Sequence, residues 1–367
     1  MKAAVCRAFR AQLEIEELRL DSPSAGEVTV DVAACAICHS DIAFAAGAWG
    51  GELPALYGHE AAGVVREVGR GVGSVRPGDR VVVSLIRSCG DCFFCGRGEF
   101  HLCAGDFPGD RHPRLHTESG EPVVRAMHTG AFAERVLVHE SQVAVVPASL
   151  PLDVAALPGC GVITGVGAVL DRVGVTPGSS VVVVGTGGVG LNAVQGARAA
   201  GAEIVVAVDT APEKRTVAAS FGATHAVDPA GEDTSAEVRS LTDGRGADYV
   251  FVGVGQTPVI EAALRLVRRG GTLVVLGIPG SDETFEVVGV DLVHDDRHIV
   301  GHKIGSGSGR FADVVPRLIT LYDEGDLKLD ELIAGSFALE EINDAIASSS
   351  TGATLRNLVV FPPGRGV

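Results

Sequence analysis

The chain has 367 residues, of which 46% are hydrophobic, and its formal net charge is −16. This length predicts about two domains with well-filled cores. The negative charge repels phosphate backbones and anionic lipids, and the absence of a basic run excludes nucleic acid as a partner. No apolar run of about 18 residues occurs, so we expect neither a signal peptide nor a membrane partner, and the cytoplasm is the expected location.

The first part of the chain, up to about residue 150, is predicted to be rich in β-strands. Short valine-rich runs at 27–32, 62–68 and 80–85 are separated by glycine and proline, with a turn signal at 76–79. We therefore expect a β-rich, partly barrel-like domain here.

Four cysteines lie close together within this first part. Three of them follow C-x2-C-x2-C spacing and the fourth comes shortly afterwards: Cys89, Cys92, Cys95 and Cys103. Thiolates at this spacing suit tetrahedral zinc or an iron–sulfur cluster, and four of them leave no coordination position for a substrate. The alternatives are two disulfides or four unrelated thiols, although cytosolic disulfides are rare. We predict a structural metal site.

The pattern changes from about residue 179 to alternating strands and helices. Apolar runs at 181–184, 204–208, 249–252 and 272–276 are separated by helical segments. This alternation predicts βαβ units around a parallel sheet.

A glycine-rich turn connects the first of these strands to the first helix. Its motif is G-x-G-x-x-G, with the residues Gly185, Thr186, Gly187, Gly188, Val189 and Gly190. In this context the backbone N–H groups and the helix N-terminus can approach a pyrophosphate, whereas the alternative is an ordinary strand-to-helix turn.

One residue at the end of the next strand and one on the helix that follows it bear on the choice of nucleotide. Asp209 ends that strand, where a carboxylate accepts hydrogen bonds from adenosine ribose hydroxyls and repels a 2′-phosphate, so NAD is favoured over NADP. Lys214 follows on the next helix and is a candidate for the same ribose, or a solvated surface lysine.

Three further residues of types that bind zinc are scattered along the chain. Cys38, His59 and Cys160 each lie among small or polar residues. Two thiolates and one imidazole form a three-ligand zinc site with an open fourth position, which is a catalytic arrangement. Judged alone, His59 would be interpreted as a surface or core histidine.

Taken together, these motifs closely resemble those of the zinc-dependent medium-chain alcohol dehydrogenases, over essentially the whole length of the chain. The resemblance implies a GroES-like, β-rich catalytic domain at 1–161, a Rossmann domain with a doubly wound parallel sheet at 162–304, and a return to the catalytic domain at 305–367. It also implies an active-site cleft between the domains, NAD as cofactor and two zinc ions per chain. The quartet would hold the structural zinc, and Cys38, His59 and Cys160 the catalytic one.

The family pattern implies roles for four residues near the catalytic ligands. Ser40 matches the hydroxyl that passes on the alcohol proton, with a turn serine as the alternative. Asp41 is expected to orient His59, and Glu60 to lie behind the metal. His39 is a candidate for contact with the cofactor pyrophosphate and for the proton relay. Many relatives end that relay with a histidine where this chain has Ala43.

The expected substrate is a hydrophobic primary alcohol or its aldehyde, aromatic or allylic. By the family's spacing, Trp49, Leu85 and Phe132 approach the substrate channel, and all three are bulky and apolar. Polyols are disfavoured because such a pocket leaves their hydroxyls without partners. Trp49 and Phe107 stand where glutathione-dependent members carry charged residues, which argues against that activity.

Some features stay open at this point. The polar segment 104–129 contains His112, His116 and His128, whose irregular spacing favours a solvated loop over another metal site. In the family a long segment here accompanies dimers, so we expect a homodimer. A nicotinoprotein with permanently bound NAD and an external acceptor would share every motif. Two less favoured possibilities are a zinc-independent reductase and a non-enzymatic NAD-binding protein stabilised by zinc.

Overall fold

The computed structural model describes residues 1–350, 352 and 355–362. Its strands are β1 Lys2–Cys6, β2 Glu14–Leu20, β3 Glu27–Ala36, β4 Ala55–Leu56, β5 Glu60–Val68, β6 Arg80–Val83, β7 Leu115–Thr117, β8 Val124–Arg125, β9 Arg135–His139, β10 Val143–Val145, β11 Ser180–Val184, β12 Ile204–Val208, β13 His225–Val227, β14 Ala247–Val252, β15 Val267–Val275, β16 His298–Gly301, β17 Ile333–Phe337 and β18 Arg356–Val360. Its α-helices are α1 His39–Ala45, α2 Leu152–Ala156, α3 Gly161–Gly167, α4 Gly188–Ala199, α5 Pro212–Ser220, α6 Thr234–Leu241, α7 Thr257–Leu264, α8 Gly289–His294, α9 Phe311–Asp323 and α10 Ile342–Ser350.

The chain forms two compact units. The first contains residues 1–161, 309–320 and those from 329 onward, and the second contains 162–308 and 321–328. The domain boundaries implied by the family resemblance are separate from this division into units and remain a prediction. Among the described residues no single helix is long and apolar enough to cross a membrane, and only one bent pair of consecutive helices, 152–159 and 161–172, reaches the required length and composition.

The first unit is built on two sheets. One has the order β7-β2-β1-β4-β8, and the other has the order β10-β6-β5-β3-β18-β17 with β9 also paired to β3. Strand β3 is buried along most of its length because it pairs with β5, β9 and β18. A single core of small and branched side chains fills the unit. These sheets confirm the prediction of a β-rich domain.

The segment 104–129 differs from the solvated loop expected from its polarity. It contains β7 and β8, and Phe107, Leu115 and Val123 are buried. His112 and His128 are exposed, whereas His116 is half-buried. The buried apolar residues of this segment attach it to the body of the unit. They could have been noticed in the sequence, but the prediction was based on the polarity of the segment as a whole.

The second unit contains a six-stranded parallel sheet in the order β13-β12-β11-β14-β15-β16. This order reverses beside β11, which is the topology of a doubly wound dinucleotide-binding fold. The central strands β11 and β12 are nearly continuous apolar runs rich in valine, as expected of a sheet covered on both faces. The predicted parallel sheet is confirmed, and the switch point places the glycine-rich turn at the carboxyl end of β11.

Candidate metal and cofactor sites

Three scattered residues converge inside the first unit. Cys38 follows β3, His59 immediately precedes β5, and the antiparallel pairing of Ala36 with Glu60 brings these two positions together. Cys160 follows a short turn, and its sulfur lies 4.0 Å from the Cys38 sulfur. Their three candidate ligand atoms all lie within 4.8 Å of one another, and all three residues are buried. We name these residues the triad.

The imidazole of His59 is held by a buried carboxylate. Its Nδ1 lies 3.0 Å from Asp41 Oδ1, which also accepts a hydrogen bond from the Gly58 backbone N–H at 2.9 Å. Asp41 Oδ2 accepts from the Cys38 backbone N–H at 3.1 Å. One carboxylate therefore fixes two members of the triad, and it leaves His59 Nε2 to face the cluster.

The hydroxyl of Ser40 lies beside the triad. Its Oγ donates to the Cys38 sulfur at 3.2 Å and lies 3.5 Å from His59 Nε2. Ser40 is half-buried, whereas its neighbour His39 is exposed. The first turn of α1 thus presents a hydroxyl to the cluster and an imidazole to solvent.

A buried ion pair behind the triad includes one residue that sequence reasoning missed. Arg356, on β18, has its Nε 3.7 Å from Glu60 Oε1 and donates to the Ile37 carbonyl at 3.3 Å. Both oxygens of Glu60 are buried without a hydrogen-bond partner. A side chain on Gly161 would overlap the Arg356 guanidinium, so the glycine beside Cys160 makes room for it. The one available signal was a single arginine at the start of an apolar strand.

The pKa values of the cluster depend on these close contacts. The adjacent Cys160 thiol and His59 hold the pKa of Cys38 well below its usual range, despite burial. Burial lowers the pKa of His59, but the Asp41 carboxylate and the Cys38 sulfur raise it well above the usual value. Burial raises the pKa of Glu60 to about 7, against the opposing charge of Arg356. The contact between the two sulfurs thus favours the thiolate form of Cys38, and the same contact, together with burial, raises the pKa of Cys160.

The triad fits a zinc ion. A tetrahedron with Zn–S bonds of about 2.3 Å has sulfur atoms about 3.8 Å apart, and the two triad sulfurs are 4.0 Å apart. The donors are two sulfurs and one imidazole, which zinc prefers. Three protein ligands leave a fourth position open.

The cysteine quartet forms a second cluster of sulfur atoms. Two pairs, Cys89 with Cys95 and Cys92 with Cys103, have sulfurs 3.9 Å apart, and all four thiols are free. Backbone N–H groups of Cys89 and Gly105 donate to the Cys103 sulfur at 3.2 and 3.3 Å. These distances exclude disulfides in this structure and fit tetrahedral zinc with all four positions filled. Among the described residues the triad and the quartet are the two groups that could hold a metal ion.

The glycine-rich turn of the second unit is shaped for close approach. Gly185 has φ of +83°, which favours glycine, and a side chain on Gly190 would overlap the Gly185 carbonyl. A side chain on Gly187, at the start of α4, would meet no protein atom within 4 Å. Open space over a helix N-terminus fits a pyrophosphate. Gly188 and Val189 form the first turn of that helix.

Asp209 is held against the glycine-rich turn by a residue that sequence reasoning did not single out. Its Oδ2 accepts from the backbone N–H of Thr186 at 2.8 Å and from the Thr186 hydroxyl at 3.2 Å. Its Oδ1 accepts from the Ala211 N–H at 3.0 Å. Lys214 is half-buried on α5, while the neighbouring Arg215 pairs with Asp228 at 3.0 Å. The roles of Asp209 and Lys214 in ribose binding remain predictions.

The expected pocket residues have different surroundings. Trp49 packs edge-on against Phe44 with ring centroids 4.9 Å apart, and Leu85 is half-buried. Phe132 is fully buried in the core of the first unit, so this structure does not bring it to an accessible surface. Its place in a substrate pocket remains a prediction.

Two family models match the chain. Residues 24–148 match the alcohol dehydrogenase GroES-like domain, and residues 188–320 match the zinc-binding dehydrogenase model. Among curated proteins, an NDMA-dependent alcohol dehydrogenase from Amycolatopsis methanolica is 38% identical, covering 98% of this chain and 98% of that protein.

Solved structures agree with these matches. An alcohol dehydrogenase zinc-binding domain protein from Burkholderia ambifaria has a TM-score of 0.93 and 34% identity, covering 99% of both chains. The benzyl alcohol dehydrogenase of Acinetobacter calcoaceticus has a TM-score of 0.92 and 30% identity, covering 98% of this chain and 99% of that one.

Proposed function

The chain belongs to the zinc-dependent medium-chain alcohol dehydrogenases, and from this premise we propose that it transfers hydride between a hydrophobic primary alcohol and NAD. Alcohol dehydrogenases are oxidoreductases that act on small-molecule alcohols and aldehydes. The observation that carries the proposal is the buried triad with the Ser40 hydroxyl beside it. This hydroxyl is in contact with two of the three candidate ligand atoms.

The triad residues would hold the catalytic zinc and the quartet the structural one, giving two zinc ions per chain. Zinc at the triad would supply Lewis-acid chemistry, which lowers the pKa of an alcohol hydroxyl. Ser40 Oγ, able to accept and donate at once, takes the alcohol proton. Asp41 keeps the His59 ring fixed through Nδ1, and Glu60 with Arg356 places a paired charge behind the cluster.

The proton must leave Ser40 by a route different from the one that many relatives use. Ala43 has no titratable group, so it takes no part in proton transfer. His39 is exposed and adjacent in sequence to Ser40. We propose His39 as the outer group of this relay and as a contact for the cofactor pyrophosphate.

NAD is the proposed hydride acceptor, bound at the glycine-rich turn. The open space at Gly187 fits its pyrophosphate, and the Asp209 carboxylate accepts from the ribose hydroxyls. Arg215, the nearest guanidinium in sequence, is paired with Asp228 and with the Asp209 and Thr210 carbonyls. That pairing leaves it poorly placed for a 2′-phosphate.

A hydrophobic primary alcohol is the proposed substrate. The aromatic contact between Trp49 and Phe44, and the half-buried Leu85, supply apolar surface in the first unit. The similarity to a benzyl alcohol dehydrogenase supports an aromatic alcohol. A polyol would leave hydroxyls unpaired against such side chains.

A nicotinoprotein is the second candidate function. It is favoured by the 38% identity to an enzyme described as NDMA-dependent, a description that implies an acceptor other than free NAD. In that case NAD stays bound and an external acceptor reoxidises it. The zinc chemistry and the residues that hold it would be the same.

One experiment addresses both candidates. The purified protein is denatured and assayed for released NAD, and turnover is measured on benzyl alcohol, geraniol, ethanol and sorbitol with NAD, NADP or NDMA. We expect benzyl alcohol and geraniol to have the highest kcat/KM with added NAD. About one NAD per chain after gel filtration, with turnover only on NDMA, would establish the nicotinoprotein instead. A preference for sorbitol would contradict the substrate proposal.

A homodimer is the proposed assembly, formed through the second unit. Strand β16 ends the parallel sheet and, among the described strands, pairs only with β15. Four large apolar side chains near it are exposed: Ile278 at 67%, Val288 at 60%, Val290 at 69% and Val293 at 82%. An unpaired edge beside exposed apolar residues fits a second copy of the chain. The cytoplasmic location expected from the sequence remains a prediction.

The dimer is tested by light scattering after gel filtration. We expect the mass of two chains for the wild type and of one chain for the double variant Val290→Glu, Val293→Glu. Phe93→Ser is the control, because Phe93 is also an exposed apolar residue, at 72%, but lies between two cysteines of the quartet, in the first unit. A monomeric wild type, or a dimer that survives the double substitution, would contradict the proposed interface.

A further inference from the structure

A polar cavity of about 210 Å³ lies in the first unit, apart from the triad. Its walls come from the quartet segment and from the body of the unit, including Arg87, Phe107, Asp110, Arg125 and His128. No activity described above uses this space. Its volume suits a small molecule.

Arg125 is an incompletely paired cation on this wall. Its side chain is only 12% exposed, it donates to the Leu137 carbonyl, and its nearest carboxylate oxygen, on Asp110, is 3.8 Å away. A guanidinium carries five N–H donors, and the hydrogen bond to Leu137 leaves donors of Arg125 without a partner among the described residues at the cavity wall. Burial lowers the pKa of Arg125, although the Glu27 and Asp110 charges oppose that shift. A buried cation in this state favours an additional anion.

Arg87 brings a second guanidinium to the same end of the cavity. It lies 3.7 Å above the Phe107 ring and pairs with Asp110 at 2.6 Å. Asp110 is therefore shared between Arg87 and Arg125, and it also lies 3.7 Å from His128 Nδ1. One carboxylate faces two guanidinium groups, which leaves this end positively charged.

The other carboxylates on the wall have separate partners. Glu27 Oε2 accepts from Arg114 at 2.8 Å, and Asp106 pairs with Arg111. Asp91 lies beside the Cys89 thiol, at the quartet end of the cavity. Glu27 also acts on Arg125, so this end of the cavity brings three guanidinium groups, of Arg87, Arg114 and Arg125, against the two carboxylates of Glu27 and Asp110.

The backbone next to the cavity is strained. Met127 and His128 both have left-handed φ values, 52° and 56°, which side chains other than glycine rarely adopt. The His128 carbonyl accepts from Gln142 Nε2 at 3.2 Å, which holds the turn in place. Such strain is concentrated at functional sites, and here it presents His128 to the cavity.

We propose that this cavity is a binding site for a small oxyanion or carboxylate, held by Arg87 and Arg125 with His128 beside it. Planar guanidinium groups bind carboxylate and phosphate through paired N–H donors. The bound anion would complete the pairing of Arg125 and tie the quartet segment to the body of the unit. Binding therefore stabilises the protein without competing with the alcohol.

The test uses the zinc-loaded protein, with and without saturating NAD, so that phosphate bound at the glycine-rich turn is recognised by its loss in NAD. Inorganic phosphate and acetate are titrated separately at constant ionic strength against sodium chloride, with affinity from calorimetry and Tm from thermal unfolding. We expect at least one of the two anions to bind in the presence of NAD and to raise Tm. A response to phosphate alone identifies an oxyanion, and a response to acetate alone or to both identifies a carboxylate site.

Arg125→Met is expected to weaken this binding about 10-fold or more, since it removes charged hydrogen bonds. Arg76→Met is the matched control, because Arg76 lies outside the cavity wall and its side chain is 87% exposed; it should bind the anion as the wild type does. Where Arg125→Met fails to fold, Arg87→Met and anomalous diffraction from crystals soaked in selenate replace it. Binding unaffected by Arg125→Met or Arg87→Met, no response to either anion, or no selenate peak at the two arginines would overturn the proposal.

Discussion

The two sulfur clusters of the first unit differ in how the chain builds them. The quartet comes from one short segment whose own backbone N–H groups donate to its sulfurs. The triad draws on three distant positions, and its sulfurs are buried beside a carboxylate, a hydroxyl and an arginine. A local motif can bind a metal almost independently of its surroundings, whereas the triad depends on the folded sheet. The comparison teaches that proximity in sequence marks the structural site, and convergence in space marks the chemical one.

Cys160→Ala should have the largest effect on activity of the substitutions that compare the two clusters. It removes one of three ligands, and the loss of Lewis-acid stabilisation, about 4 kcal/mol, corresponds to a ~10³-fold fall in kcat/KM. Metal analysis should find about one zinc per chain instead of two, with an unchanged circular dichroism spectrum. Cys6→Ala is the control, a buried cysteine outside both clusters. Retained turnover in Cys160→Ala would remove the triad from the chemistry.

Asp41→Asn tests whether the surroundings of the triad matter as much as its ligands. Asn replaces a carboxylate that holds both His59 and the Cys38 backbone, so zinc affinity or activity should fall about 10- to 100-fold. The measurement is a competition titration with a zinc chelator. Asp79→Asn, in an exposed turn, should behave as wild type. Equal zinc affinity in all three proteins would mean that the carboxylate only packs.

Thr186→Val extends the comparison to the second unit, where a local motif, unlike the quartet, is tied to a distant residue, Asp209. The backbone bond to Asp209 remains but the hydroxyl bond is lost, at about 1 kcal/mol, so the NAD dissociation constant should rise ~3- to 10-fold. Fluorescence titration with NAD measures this effect. Thr186→Ser should restore binding, and a serine variant as weak as valine would indicate a packing effect.

Cys92→Ala should have the smallest effect on turnover and a clear effect on stability. With the quartet broken, the protein should unfold roughly 5 °C or more below the wild type, because a structural zinc contributes directly to folding. Turnover per folded molecule should stay within about 2-fold, since the triad is untouched. Thermal unfolding and zinc content are measured beside Cys6→Ala. A loss of activity as large as that of Cys160→Ala would erase the distinction between the clusters.

Whether a site could be predicted from the sequence depends on whether neighbouring or distant residues build it. The quartet and the glycine-rich turn depend on neighbouring residues, so their spacing was sufficient to predict their close-packed geometry. The strands were also predictable, because β12 is an uninterrupted apolar run bounded by polar residues. The grouping of Cys38, His59 and Cys160 was proposed from their residue types and then supported by the family resemblance, since no spacing rule joins such distant positions.

The features that were missed depend on tertiary contacts. Arg356 lies near Glu60 because β18 pairs with β3, a pairing between strands from opposite ends of the chain. Thr186 occupies a variable position of its motif, and its importance appears only when Asp209 is placed beside it. Arg125, on the cavity wall, lies in a segment whose polarity predicted a solvated loop. Phe132, expected near the substrate channel from the family's spacing, is buried in the core of the first unit, and its place in a substrate pocket remains a prediction.

The pairing of β18 with β3 also bears on how the protein is made. A nascent chain acquires Cys38, His59 and Cys160 well before it acquires Arg356, and β3 then lacks its neighbour. During that interval the Glu60 carboxylate has no counterion and the sheet has an open edge, which exposes the chain to proteolysis and aggregation. Synthesis of β18 closes that edge and neutralises the buried charge in one step. The surroundings of the triad are therefore completed only after β18 has been synthesised.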